Sequence, residues 1–130
     1  MRPLGSGIDI VEISRIDDLL AKQGDRFAEK ILHTDELSAF YEQKNKAAFL
    51  AKRFAVKEAA SKALGVGIGR SIGWQDIYVS HTELGQPLLN FSEACQQRLP
   101  ATRGTSLLSI SDERAYAVAH VLLFAEEKTS

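Results

Sequence analysis

A single cysteine, Cys95, stands in this 130-residue chain, which excludes an internal disulfide framework and fits a reducing compartment. With no local cationic context, that thiol reads as a small buried hydrophobe rather than a nucleophile. Long apolar runs are missing too. The longest, Ala115 to Ala125, carries His120 and cannot span a bilayer as a helix. The opening segment includes Asp9 and Glu12 and is too short and too charged for a secretory signal, so a soluble, cytoplasmic protein is expected, with no membrane partner. Repeats and low-complexity tracts are absent, and the length suits one compact domain over residues 1–130. Neither a Walker lysine motif nor a G-x-G-x-x-G after a strand occurs, and Gly5-x-Gly7 alone is weak. No nucleic-acid-binding motif is present, and the basic residues are not interleaved with aromatics, so no nucleic-acid partner is expected.

Charge is nearly balanced overall, at −1, but strongly segregated. Between Gln43 and Gln75 lie seven basic residues (Lys44, Lys46, Lys52, Arg53, Lys57, Lys62, Arg70) and one acid, Glu58, a net of +6 that leaves −7 elsewhere. Lys44 and Lys46 read as solvated helix charges. The set as a whole reads as an anion site, because a field of one sign concentrates anionic ligands.

Leu4 to Ile13 is expected as a strand, with Gly5 and Gly7 marking close backbone approach or a bulge. Ser14 is expected to cap a helix over 15–22 that Gly24 ends, followed by a short helical turn over 27–31. A further helix runs to about Gln43, with Thr34 or Asp35 as its cap. The longest helix, Lys46 to Leu64, is apolar on nearly every side and closes at Gly65, so protein should surround it. Four glycines between Gly65 and Gly73 then form a loop. Residues 76–80 and 87–91 form a hairpin, 92–99 a helix and 105–110 a strand. The last strand, Ala115 to Phe124, carries apolar residues on both faces and needs cover on both. A single helix layer covers one, which points to another subunit on the other.

Glu58 is the lone acid in the basic segment, on a helix expected to be buried, where a carboxylate is costly unless paired or bound to a metal. Lys62 lies one turn further along, so an ordinary Glu58–Lys62 salt bridge is one reading. Asp9 sits in the apolar strand segment Gly7-Ile8-Asp9-Ile10-Val11, where it either ends a strand, caps a turn or serves a site. Taken together, two carboxylates near many cations suit Mg²⁺, which keeps several waters and takes its other ligands from substrate phosphates. From the residues alone, the chemistry is Mg²⁺-dependent work on a phosphorylated ligand.

The run from Gly7 to Ile16 and the run from Arg53 to Gly69, centred on Lys57-Glu58-Ala59, resemble the two signature motifs of the holo-acyl-carrier-protein synthases. The resemblance extends through Gly85-Gln86-Pro87 to Ser109-Ile110-Ser111. It implies the α+β fold of the 4′-phosphopantetheinyl transferases, a small antiparallel sheet wrapped around a long buried helix. It also implies transfer of 4′-phosphopantetheine from coenzyme A to a carrier-protein serine, releasing adenosine 3′,5′-bisphosphate, in support of fatty acid biosynthesis. Asp9 and Glu58 are then the Mg²⁺ ligands, with Mn²⁺ as the alternative ion, and Glu58 and Lys62 the catalytic pair. Lys62 and Arg53 would contact the phosphates of coenzyme A, while Gly65, Gly67, Gly85, Gln86 and Pro87 line it. Either a metal-bound water or Glu58 takes the serine proton, and the sequence does not choose. Arg15, Lys22 and Arg26 match in type the residues that dock acyl carrier protein in this family. A homotrimer with sites between subunits is implied as well.

One departure stands out. Asp112 occupies a position where many members of the family have His, which puts a nucleotide contact there in doubt. His33, His81 and His120 read as structural. Two other readings compete: a non-catalytic module binding coenzyme A or carrier protein, and a phosphotransferase using a nucleoside triphosphate. Intact Asp9, Glu58 and Lys62 argue against the first and the missing nucleotide motifs against the second.

Overall fold

The chain starts with a strand, β1 (Pro3–Glu12), and three short helices, α1 (Ile13–Gln23), α2 (Asp25–Ile31) and α3 (Thr34–Glu42), in a computed structural model that describes residues 2–127. The long helix α4 (Lys46–Leu64) follows, then a 3₁₀ turn over Trp74–Asp76 and the hairpin β2 (Ile77–His81) and β3 (Pro87–Phe91). Helix α5 (Glu93–Arg98), a second 3₁₀ turn over Pro100–Arg103, β4 (Ser106–Asp112) and β5 (Tyr116–Phe124) complete it. The antiparallel three-stranded sheet has the order β1-β5-β4, and β2-β3 forms a separate antiparallel ribbon.

Helix α4 is the centre of the molecule. Asn45 Oδ1 caps it by accepting from the Ala48 amide, and Gly65, with φ 74°, ends it in the left-handed conformation. Thirteen of its nineteen residues are buried, so protein surrounds it, as the all-round apolar pattern predicts. Its alanines let β1 approach closely. A Cβ on Gly7 would overlap the Ala59 carbonyl, and one on Gly5 would overlap that of Ala63. The register also slips between Pro3 and Gly5, a bulge at the strand's start. Gly7→Ala is accordingly expected to cost about 3 kcal/mol, the upper end for overpacking, read as a lower urea midpoint. Gly67→Ala, into open space at an ordinary φ, is the control and should leave that midpoint in place.

Two expected caps are corrected. Helix α1 begins at Ile13, so Ser14 lies inside its first turn and donates to Glu12 Oε1 at 2.7 Å instead of capping. Helix α3 is capped by His33, not Thr34 or Asp35: His33 Nδ1 accepts from the Asp35 amide, and Glu36 Oε1 accepts from the His33 amide.

The sheet has two unlike faces. Gly5, Gly7, Asp9 and Val11 of β1, with Ala117, Ala119, Val121 and Leu123 of β5, turn towards α4. Ile8 and Ile10 turn the other way and are 61% and 65% exposed, with Leu107 and Tyr116 exposed on neighbouring strands. His120 lies on this outward face, its ring 3.1 Å from Ser6 Oγ. Cys95 is fully buried, and burial pushes its thiol pKa up, in keeping with a packing role.

Candidate active site

Asp9 owes its position to strand alternation: it follows Gly7 on the inward face of β1, opposite Ala119. Lys62, near the end of α4, reaches across to it. Its Nζ donates to Asp9 Oδ1 at 2.9 Å and to the Ile8 carbonyl at 2.9 Å. The i, i+4 pairing of Glu58 with Lys62 is therefore not the one formed. Among the described residues, Glu58 has neither an ion pair nor a hydrogen bond on its carboxylate. Its pKa is raised, first by burial and then by the negative charge of Asp9, against the opposing pull of Lys62 and Arg15. Four charged groups from β1, α1 and α4 thus converge, with two carboxylates close enough to repel.

The rest of the basic segment divides. Lys57 is fully buried and uses all three ammonium protons: on Glu36 Oε1 (2.7 Å), the Ile31 carbonyl (2.8 Å) and the Trp74 carbonyl (3.2 Å). Arg53 belongs to the same buried group. Its Nε lies 3.3 Å from Glu36 Oε2, an ion pair outside hydrogen-bond geometry, and its guanidinium stacks over Phe49 at 4.6 Å. Glu36 Oε2 accepts in addition from the Val79 amide at 3.0 Å. No ion pair or side-chain hydrogen bond joins Arg53 to the Asp9 cluster among the described residues. The pairing of Lys57 with Glu36 is not legible in the sequence. A lysine in the middle of an apolar helix does demand a buried acid, but nothing local says which one.

Gly65 and Gly67 open the loop leaving α4, and the Gly65 and Val66 amides fold back onto Lys62 and Ser61 carbonyls. Gly85, with φ 90°, and Gln86 form the turn of the β2–β3 hairpin, where both amides bond to Thr82, and Pro87 starts β3. Arg15, Lys22 and Arg26 are exposed, and none of them has an ion-pair partner among the described residues. Asp112 lies 3.7 Å from Lys52 Nζ. No group of three or more His, Cys, Asp or Glu residues is assembled among the described residues, so Asp9 and Glu58 offer two carboxylates rather than a closed metal cage. A cavity of about 250 Å³ on the outward sheet face is lined by Ile10, Ser111, Asp112, Glu113, Tyr116 and Val118.

Residues 5–120 match the family model described as the 4′-phosphopantetheinyl transferase superfamily. A holo-[acyl-carrier-protein] synthase of Vibrio parahaemolyticus is 50% identical over 125 residues, covering 95% of this chain and 98% of its own. The crystal structure of the holo-[acyl-carrier-protein] synthase from Neisseria meningitidis superposes with a TM-score of 0.87 at 36% identity, over 94% of this chain and 98% of that one. The Bacillus anthracis enzyme in complex with CoA (3′,5′-ADP) superposes with a TM-score of 0.83 at 38% identity, over 97% and 100%.

Proposed function

Because the chain belongs to the 4′-phosphopantetheinyl transferase superfamily, we propose that Asp9, Glu58 and Lys62 form the centre at which it works. The protein is a holo-acyl-carrier-protein synthase: it transfers 4′-phosphopantetheine from coenzyme A to a serine of apo-acyl carrier protein. The observation that carries the site is the turn of Lys62 onto Asp9, which leaves Glu58 beside a second carboxylate without a cation of its own. Two such carboxylates fit a divalent cation with open positions, and Asp9 and Glu58 would hold Mg²⁺ or Mn²⁺. When bound, the ion neutralises pyrophosphate charge and polarises the phosphoryl group under attack.

The chain's own groups do the rest. Lys62 Nζ has spent two of its three protons on Asp9 and Ile8, and its half-exposed side chain keeps the third for a phosphate oxygen. It stabilises charge on the leaving adenosine 3′,5′-bisphosphate as the pyrophosphate bond breaks. The serine Oγ forms the new bond to the β-phosphorus, and its proton goes to Glu58, the carboxylate not already held by an ammonium. The loop containing Gly65 and Gly67 and the turn Gly85-Gln86-Pro87 line coenzyme A, with Arg53 contributing positive charge towards its phosphates. Asp112, where many members of the family have His, carries no nucleotide contact in this reading; its carboxylate lies 3.7 Å from Lys52 Nζ.

Exposed Arg15, Lys22 and Arg26 receive an acidic helix of the carrier protein. The apolar outward face of the sheet is covered in a homotrimer whose sites lie between subunits, which accounts for exposed Ile8 and Ile10. The enzyme acts as one domain in the cytoplasm, in fatty acid biosynthesis; among the described residues no helix is long and apolar enough to cross a membrane. Mass spectrometry of apo-acyl carrier protein incubated with coenzyme A, Mg²⁺ and the protein tests the reading. A mass gain of one phosphopantetheine, lost on adding EDTA, is expected. No gain with several well-folded carrier proteins would leave a binding module as the better account, and a gain that survives EDTA would remove the metal.

A further inference from the structure

The loop from Gly65 to Gly73 has little to hold it. Beyond its helix-capping end, its backbone is tied to itself by the Gly69 amide on the Ile72 carbonyl, with Ile72 set into the core. Among the described residues, the side-chain tethers of residues 67–73 come from Asp76 and Arg98. Asp76 Oδ2 accepts from the Gly73 amide at 2.9 Å and from Arg98 Nη2 at 3.0 Å, while Arg98 Nη2 also lies 3.5 Å from the Ser71 carbonyl. Asp76 Oδ1 accepts from Ser92 Oγ at 2.6 Å, and the Ser92 amide donates to the Asp76 carbonyl. Ser92 is itself the cap of α5, so one carboxylate bolts the end of the loop to both ends of that helix. Asp76 and Arg98, with Gly69, Arg70, Ser71, Ile72 and Gly73, wall a cavity of about 270 Å³. Burial acts to raise the Asp76 pKa, but its bonds from Ser92, Gly73 and Arg98 outweigh that and hold it below the usual aspartate range.

We propose that Asp76 and Arg98 are positioning residues for coenzyme A, a clamp that holds the 67–73 loop in its ligand-ready form before substrate arrives. The inference rests on the reading that this loop lines coenzyme A. Neither side chain belongs to the Asp9, Glu58 and Lys62 centre, so the clamp acts on donor binding and leaves the chemical step alone. Ordering the loop in advance removes an entropic cost that coenzyme A would otherwise meet on binding.

Steady-state kinetics of Arg98→Ala, Arg98→Lys and Asp76→Asn, with hydrogen exchange of residues 67–73, tests it. Arg98→Ala and Asp76→Asn should raise KM for coenzyme A about tenfold, the size of one lost charge-assisted hydrogen bond, with kcat and KM for the carrier protein within about twofold. Arg98→Lys should recover most of the loss. Loop exchange should speed up in the free variants and return to the wild-type rate when coenzyme A saturates. An unchanged KM for coenzyme A, with the wild-type loop still protected by the ligand, would overturn the clamp and leave the loop's role intact. Absence of that protection in the wild type would overturn the loop's role itself. Equal losses in kcat and in both KM values would reduce the pair to a stability element.

Discussion

Glu58→Gln is expected to lower kcat/KM for phosphopantetheinyl transfer by about 10³-fold, within the range for loss of a general base, while the metal-free protein gains stability. The two effects have one cause. The Glu58 carboxylate is held partly out of water, beside Asp9, and makes no hydrogen bond among the described residues. Burial and Asp9 raise its pKa, so its charged form is disfavoured on folding, and stability falls as pH rises through that raised value. A neutral amide of the same shape removes the repulsion at neutral pH. Thermal unfolding without divalent ions checks the sign: a higher Tm in Glu58→Gln supports the strained pair, and a lower one would mean that Glu58 is an ordinary structural acid. Asp9→Asn should lose activity similarly but without the gain, since it gives up the ion pair to Lys62.

A second large effect is expected at a residue away from the reacting groups. Glu36→Gln should destabilise the protein by about 3–5 kcal/mol, the usual result of removing one partner from a buried ion pair. Glu36 is the counter-charge for both Lys57 and Arg53 and also accepts from two backbone amides. Burial already holds the Lys57 pKa below the ordinary lysine range, with Glu36 acting to raise it, so loss of Glu36 lowers it further. A lysine with a depressed folded-state pKa costs stability while it is charged. That cost is full below its folded pKa and is relieved as pH rises towards the ordinary lysine value. Urea unfolding across neutral to alkaline pH should therefore show the gap to wild type narrowing. A gap that stays constant would place the loss on the backbone amides of His33 and Val79 instead.

Strong local signals carried far in this chain. The bounds of α4 follow from its alanine-rich apolar run and from Gly65, the one residue there able to end it at positive φ without strain. The hairpin and the doubly apolar last strand are equally legible, because alternation and turn residues act over a few positions. Caps are less so: whether Ser14 caps a helix depends on one backbone angle, and His33 took a role that short-range preference gives to Thr34 or Asp35. The charged residues divide in the same way. Asp9 and Glu58 are conspicuous as lone acids, but helix spacing offers Lys62 to Glu58, whereas the folded strand offers it Asp9. The link from Glu36 to Lys57 spans 21 residues and joins two helices, α3 and α4, and no periodicity encodes it.

Helix α4 sends Lys57 into the core on one side and Glu58 and Lys62 towards β1 on another, all on a single uninterrupted rod. Each residue added to or removed from such a rod turns everything beyond it by about 100°. One insertion between Arg53 and Lys57 would swing the buried ammonium out of its acceptor set and carry both downstream side chains off the strand in the same movement. Over evolutionary time this stretch can therefore exchange one small side chain for another, but its length is frozen, and homologues should differ in their loops long before they differ by a single residue here.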